Sequence, residues 1–215
     1  MDNVFGLIPV KPRKRIITTA RDLFRKHGIR GVGVDAIAEA AGTNKMTLYR
    51  HFGSKDELVC ECLRDFAREV EEYWTELEAE HPGEPLTQLR EWVRCGAECM
   101  NQDDGRGCDM ANAAVELADD DHPARQVIEE FKGKQRDRLV ALARDGGIAQ
   151  PELLADTLCL LLEGARVSIQ SVGKEGPGKH FIASVDAVIA SFLHKSGGEK
   201  PARSPKRAVE AAKAS

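Results

Sequence analysis

Two short helix-forming segments joined by a tight turn lie between residues 34 and 52, and they constrain the fold more than any other part of the chain. Gly42 falls where the first segment must end, since glycine readily adopts the left-handed conformation that terminates a helix. Asn44 offers a side-chain acceptor that can cap a second helix beginning at Lys45. Two helices linked by a short glycine-containing turn predict a helix-turn-helix unit.

The second of these helices carries small, hydroxyl-bearing and basic side chains, the groups that contact base edges and phosphates in a major groove. Lys45 and Thr47 are expected to face bases. Tyr49 and His51 are expected to reach the DNA backbone, the alternative being packing for Tyr49 and a surface position for His51. The candidate DNA contacts in and just beyond this helix are Asn44, Lys45, Thr47, Tyr49, Arg50, His51 and Lys55.

The segment from Arg15 to about Leu63 resembles the N-terminal DNA-binding domain of the TetR family of transcriptional regulators. The resemblance rests on AxxLFxxHGIxG at 20–31, on DAIAEAAG at 35–42 and on TLYRHFGSKDEL at 47–58. It implies a three-helix DNA-binding head followed by a six-helix C-terminal body that binds an effector and dimerises. It also implies that Lys55 contacts a phosphate.

The periodicity of the chain predicts an all-α fold, since no segment shows the alternation typical of a strand. Ser54 and Glu57 are spaced as a capping box at the start of a long fourth helix. We expect a flexible arm at 1–12, a helix-turn-helix DNA-binding domain at 13–58, an effector-binding and dimerisation domain at 59–195, and a disordered basic tail at 196–215. The last two helices are expected at about 152–172 and 179–194.

Charge is distributed unevenly along the chain, although the overall net charge is only −4. Residues 10–55 hold eleven Lys or Arg and three Asp or Glu, a net charge of +8. Residues 56–196 hold fifteen and twenty-nine, a net charge of −14. A basic head on an acidic body suits a protein that presents one end to DNA. Lys11, Arg13, Lys14 and Arg15 either reach the flanking DNA or form a solvated basic arm.

Several other protein classes are disfavoured by the same sequence. No apolar run approaches the length of a membrane-spanning helix, and the N-terminal charges follow the apolar residues, unlike those of a secretory signal. A cytoplasmic protein that does not enter a membrane is therefore expected. The six cysteines form no CxxC pair, so no metal site is expected. No catalytic constellation or phosphate loop occurs, so neither an enzyme nor a cofactor is expected.

Cys108 follows a Gly-rich loop beside Arg106 at a predicted helix N-terminus, a setting that favours thiolate formation. Its alternatives are a redox or electrophile sensor and a small residue buried at a tight helix start. The surrounding GCxxANAAxEL pattern resembles a block found in some regulators of the family that respond to reactive compounds. Cys95 and Cys99 share one helix face, and core packing is expected for both, because a disulfide at that spacing has poor geometry.

The C-terminal body is expected to enclose a ligand cavity, whose candidate lining residues are large and apolar on helices of mixed character. For each of them, ordinary core packing is the alternative. Charged groups inside apolar stretches, Arg94, Glu98, Glu163 and Arg166, either pair with one another or anchor a polar ligand. The candidate lining residues are Trp74, Trp92, Met100, Met110 and Phe131.

The resemblance implies a homodimer through helices 152–172 and 179–194, which are too apolar to be solvated on their outer faces. A dimer also suits the motif, because one short helix covers only a few base pairs. We expect a one-component regulator, a repressor, that binds a palindromic double-stranded DNA operator and is released by a small-molecule effector. The alternatives are a regulator acting through Cys108 and a helical protein-interaction adaptor that does not bind DNA.

Overall fold

The computed structural model describes residues 11–102, 108–117, 119 and 121–195, and all regular structure within them is helical, which confirms the predicted all-α fold. The tail at 196–215, most of the arm at 1–12 and the loop at 103–107 lie outside the described residues. In chain order the helices are α1 Pro12–His27, α2 Val34–Ala40, α3 Lys45–Phe52, α4 Lys55–Glu80, α5 Pro85–Gln102, α6 Asp109–Glu116, α7 Ala124–Asp145, α8 Pro151–Val172, a 3-10 turn Pro177–His180 and α9 Phe181–Lys195.

The turn between α2 and α3 and both predicted helix caps form as expected. Gly42 has a φ of +59°, in the left-handed region that favours glycine. The Asn44 side chain accepts a hydrogen bond from the Thr47 N–H at 2.9 Å. Ser54 Oγ accepts one from the Glu57 N–H at 3.0 Å at the start of α4. These caps fix where α3 and α4 begin.

The three N-terminal helices and the first turns of α4 enclose a small core. Leu48 and Phe52 of α3 are buried, as predicted, against side chains of α1, α2 and α4. The Arg15 guanidinium also donates to the Ala41 carbonyl at 2.7 Å, tying α1 to the end of α2. The inner face of α3 is thus held in place. The buried partners are Ile16, Ile17, Ala20, Val32, Ile37, Ala38, Ala41, Leu58 and Cys62.

A larger core lies among α4, α5, α7, α8 and α9 and includes Trp74, Leu89, Leu139 and Leu158. A third cluster joins the loop after α1 to α4, α6 and α7. Its members include Ile29, Val59, Met110, Leu117 and Ile128. The short helix α6 therefore lies between the helix-turn-helix unit and the helices of the larger core.

The start of the last helix differs from the sequence prediction, which placed it at residue 179. Residues Pro177–His180 form a 3-10 turn, and α9 begins at Phe181. The Lys179 N–H bonds to the Gly176 carbonyl at 3.1 Å, a three-residue spacing typical of a 3-10 turn. Gly178 packs so closely on α8 that an added Cβ would lie 2.7 Å from Ile169 Cγ1. This close approach favours the tighter turn.

Asp65 of α4 is a buried carboxylate that joins α4 to α1. It accepts hydrogen bonds from Lys14 at 2.9 Å, Arg21 at 2.8 Å and Arg68 at 3.0 Å. Burial alone would raise the pKa of Asp65, but the hydrogen bonds from these three cations outweigh that effect and hold the pKa below its ordinary value. The carboxylate therefore stays charged and ties α1 to α4.

Replacing Asp65 by Asn should lower the free energy of unfolding at neutral pH by about 1–3 kcal/mol, because the cations lose a charged acceptor. Since the folded pKa is depressed, this contribution exists above the unfolded pKa and is lost as pH falls through the folded pKa. The difference from wild type in urea unfolding should therefore shrink below about pH 4.

The matched control is Glu71→Gln on the same helix, which removes an exposed ion pair with Arg138. It should change the free energy of unfolding by at most about 1 kcal/mol. A loss of stability in Asp65→Asn that stays constant down to about pH 3 would contradict this role for the carboxylate.

Candidate nucleic-acid interface and ligand cavity

The outer face of α3 is open, while its inner face is buried. Lys45, Met46, Tyr49, Arg50 and His51 are exposed. Met46 is 77% exposed and was not among the residues predicted from sequence. An apolar side chain does not match the polar and basic groups expected to contact DNA, so only its position on the outer face of α3 identifies it. A long apolar side chain there can contact a thymine methyl group.

The remaining predicted contacts are Asn44 before α3, Thr47 within it and Lys55 at the start of α4. The side chain of Asn44 caps α3, and Thr47 is half-buried. Lys45 Nζ lies 3.1 Å from an Asp35 carboxylate oxygen, and this hydrogen bond raises the pKa of Lys45. The pair is exposed, so little energy opposes its exchange for a phosphate. Lys55 Nζ donates to the Ile29 carbonyl at 2.7 Å, holding the loop before α2.

The basic residues at the start of α1 contact α2 and α4. Arg13 pairs with Glu61, Lys14 pairs with Asp65, and Arg15 donates to Ala41. Their charges therefore join α1 to α2 and α4. Lys14 is still about half exposed, so its pairing with Asp65 leaves part of the ammonium open to solvent.

A cavity of about 1100 Å³ lies among α4, α5, α6, α7 and α8. This volume is slightly above the usual range for sites that bind drug-sized molecules. Among the predicted lining residues, Trp92, Met100 and Phe131 lie on its wall. Trp74 and Met110 are instead buried in the surrounding core and do not line it. Trp74 supports the wall from behind, because its ring stacks on Trp92 with centroids 6.3 Å apart.

Charged side chains of α7 and α8 form ion pairs on one wall of the cavity. Lys132 pairs with Glu163, and Arg166 lies 3.5 Å from the same carboxylate. One turn further along α7, Arg136 pairs with Asp156 at 2.6 Å. All five groups line the cavity. The sequence had singled out Glu163 and Arg166, whereas Lys132 lies on a helix of mixed character and carried no comparable signal.

Four of the six cysteines line the cavity: Cys95, Cys99, Cys108 and Cys159. The expected core packing is therefore wrong for Cys99, which is exposed, and incomplete for Cys95, which is half-buried. Cys108 is the residue before α6, as predicted, and its Sγ lies 3.9 Å from Lys132 Nζ. Burial raises the pKa of the Cys159 thiol.

Helix α6 contacts both the cavity and the helix-turn-helix unit. Cys108, Asp109, Ala111 and Ala114 contribute to the cavity wall. At the other end of α6, a Glu116 carboxylate oxygen accepts hydrogen bonds from the Ile29 N–H at 2.6 Å and the Arg30 N–H at 3.2 Å. Asp109 also accepts from Arg25 of α1 at 3.3 Å. A displacement of α6 must therefore disturb the loop before α2.

The outer face of α8 carries an apolar stripe that repeats every seven residues. Leu153, Leu160 and Val167 are 53%, 74% and 58% exposed. Ile182 near the start of α9 is also exposed. Single exposed apolar residues are ordinary, but a repeating stripe along a helix is typical of a helix-packing surface.

No described helix has the length and apolar character needed to cross a membrane. Within the same residues, no group of three or more His, Cys, Asp or Glu side chains is arranged as a metal site.

The family profile described as "Bacterial regulatory proteins, tetR family" matches residues 16–62, which contain the helix-turn-helix unit. The crystal structure of SCO4454, a TetR-family transcriptional regulator from Streptomyces coelicolor, aligns with a TM-score of 0.78 at 26% identity, covering 84% of this chain and 95% of that one. The chain belongs to the TetR family of transcriptional regulators. The family fold predicted from the sequence is thereby confirmed.

Two curated relatives differ in how far the similarity extends. The HTH-type transcriptional repressor KstR2 of Mycobacterium tuberculosis is 26% identical over 195 residues, which cover 86% of this chain and 96% of the relative. The HTH-type transcriptional regulator AcrR of Shigella flexneri is 34% identical over 79 residues, only 37% of either chain. Similarity to KstR2 therefore extends beyond the helix-turn-helix unit into the larger helical core, whereas similarity to AcrR covers little more than a third of either chain.

Proposed function

We propose that this TetR-family protein is a transcriptional repressor that binds a palindromic operator as a homodimer and releases it when an effector occupies the cavity. The observation that carries the proposal is the outer face of α3, which is exposed and basic over a buried inner face. The relative KstR2 is named a transcriptional repressor, which supports repression rather than activation for this protein. In a regulator the cavity is explained as an effector-binding site, so no enzymatic reaction is needed to account for it.

Base recognition is assigned to Lys45 and Thr47, with Tyr49, Arg50 and His51 toward the DNA backbone. The Asn44 cap orients the helix that carries them. The N-terminal end of a recognition helix normally points to the base edges, which places Lys45 at that end. Lys55 is proposed to approach a phosphate after exchanging its Ile29 carbonyl contact.

Selection of bound sequences from a random DNA pool should enrich a palindrome whose half-sites lie about one helical turn apart or more. Lys45→Ala and Tyr49→Ala should each weaken binding to the winning sequence by roughly tenfold to a hundredfold. The control is Lys134→Ala, which removes an exposed lysine of α7. The absence of any enriched sequence would favour the helical adaptor that does not bind DNA.

Dimerisation is assigned to the outer faces of α8 and α9. Leu153, Leu160 and Val167 form the exposed stripe on α8, and Ile182 is exposed near the start of α9. Packing this surface against its copy would remove several large apolar side chains from water, which favours association. Because a two-fold axis repeats the recognition helix, the dimer also accounts for a palindromic operator.

Val167→Glu should convert the dimer to a monomer at micromolar concentration, because the charge would be buried against its own copy. The mass is measured by sedimentation equilibrium or by light scattering after size exclusion. Val115→Glu is a matched control, since Val115 is 81% exposed on α6 and lies off the stripe. Monomers of both variants, or dimers of both, would contradict this interface.

Coupling between effector and operator is assigned to α6. The helix lines the cavity, and Glu116 holds the amides of Ile29 and Arg30 just before α2. If an effector binds more tightly to an arrangement with α6 displaced, it shifts the population away from the DNA-binding arrangement.

Glu116→Ala should weaken operator binding by about tenfold, because the loop before α2 loses charge-assisted hydrogen bonds. Fluorescence anisotropy of labelled operator measures this change, and circular dichroism confirms that the helices remain. Glu129→Ala of α7 is the control, since it removes an exposed glutamate outside the cavity lining. An unchanged operator affinity in Glu116→Ala would exclude this coupling contact.

A second candidate, a regulator that responds to oxidants through Cys108, is favoured by the position of that thiol. Its sulfur lines the cavity, 3.9 Å from Lys132 Nζ, so a small oxidant in the cavity could reach it. Hydrogen peroxide would oxidise the thiol to a sulfenic acid, with one peroxide oxygen retained on sulfur and the other leaving as water.

Under this second candidate, peroxide should release wild-type protein from the operator and leave Cys108→Ser bound, with unchanged affinity before treatment. Cys159→Ser is the matched control, because it removes another cavity thiol and should keep the wild-type response. Equal responses of wild type and Cys108→Ser would remove the oxidant-sensing function and leave the reversible effector.

A further inference from the structure

The described acidic groups on the cavity wall each have at least one cationic partner. Arg136 pairs with Asp156, Arg25 contacts Asp109, and Arg21 behind the wall pairs with Glu69 and lies 3.9 Å from Asp109. Lys132 and Arg166 instead share the single carboxylate of Glu163. This cluster of Lys132, Glu163 and Arg166 therefore carries one excess positive charge facing the cavity.

The cluster is partly shielded from solvent, which strengthens its attraction for an anion. The Arg166 side chain is 18% exposed, less than Lys132 or Glu163. Its planar guanidinium can bind a carboxylate through two parallel hydrogen bonds while a lysine binds as a point charge. Arg166 and Lys132 lie on facing helices, α8 and α7, so one anion between them would contact both.

Away from this cluster, most of the cavity wall is apolar. Phe66 and Phe131 are in tilted ring contact with centroids 5.5 Å apart, and Trp92 lies on the α5 side. A ligand must therefore leave water along most of its length and keep one polar end. The other apolar lining residues include Val70, Met100, Ile128, Leu162 and Ile169.

We propose that the cavity binds a mono-anionic amphipathic molecule, an apolar body with one carboxylate, and that Lys132 and Arg166 hold the carboxylate. This inference rests on the proposed function, because it names the chemical class of the effector. The ligand carboxylate competes with Glu163 for the two cations. A neutral molecule would leave the excess charge uncompensated, and a cation would be repelled by it.

Tryptophan fluorescence provides a direct measure of binding, since the chain has only two tryptophans, stacked on each other with Trp92 on the cavity wall. The full chain is titrated with dodecanoate, dodecan-1-ol and dodecylamine, each below its micellar concentration. Dodecanoate should bind at least about tenfold more tightly than the alcohol, because the alcohol makes no charge-assisted contact. The amine should bind more weakly than either.

Two substitutions in the cluster should act in opposite directions. Lys132→Gln should weaken dodecanoate binding by about tenfold, and Glu163→Gln should strengthen it by a similar factor, because the competing carboxylate is gone. Neither should alter binding of the alcohol by more than about twofold. Arg144→Gln is the matched control, since it removes an exposed arginine of α7 that pairs with Glu152 outside the cavity.

The ligand titrations test the chemical class of the effector, and operator binding is tested separately. Equal binding of acid and alcohol, no binding of either, preference for the amine, or weaker dodecanoate binding in Glu163→Gln would each overturn the ligand class. Operator affinity is measured on the same preparations without any ligand, so failure of DNA binding is recognised separately. Opposite shifts in the two variants, absent in Arg144→Gln, would support the carboxylate site.

Discussion

Burial of the inner face of α3 is the constraint on which the remaining functional geometry depends. Leu48 and Phe52 can point inward only because α1, α2 and the first turns of α4 supply a core around them. Once these two positions are fixed, helical spacing directs Lys45, Met46 and Tyr49 outward. The same short core determines where α4 begins and hence where the larger helical body starts.

The helix-turn-helix unit could be predicted from the sequence because its signals are local. Gly42 and Asn44 act on neighbouring residues of the backbone, and Leu48 and Phe52 follow the helix period. The start of α9 could not be predicted, since it depends on the close approach of Gly178 to α8. That approach joins residues distant in sequence and leaves no periodic pattern.

The residues that line the cavity were also difficult to predict from the sequence, because their positions depend on contacts between helices distant in the chain. Trp92 and Trp74 are equally large and apolar, but one lines the cavity and the other supports it from the core. Their different positions follow from how α4 and α5 pack, which hydrophobicity alone does not encode. Lys132 gains its role from Glu163 and Arg166 on another helix. The sequence therefore predicted the existence of a cavity correctly, but it did not identify all of the side chains that surround it.

The contact of Glu116 with the amides of Ile29 and Arg30 has a consequence for how the two halves of the fold could be observed. An amide bonded to a carboxylate exchanges its hydrogen with solvent only when that contact opens. The exchange rates of these two amides would therefore report the opening of the junction, separately from the loosening of α3 or of the larger core. Two backbone amides would then report the opening of the contact between α6 and the loop before α2.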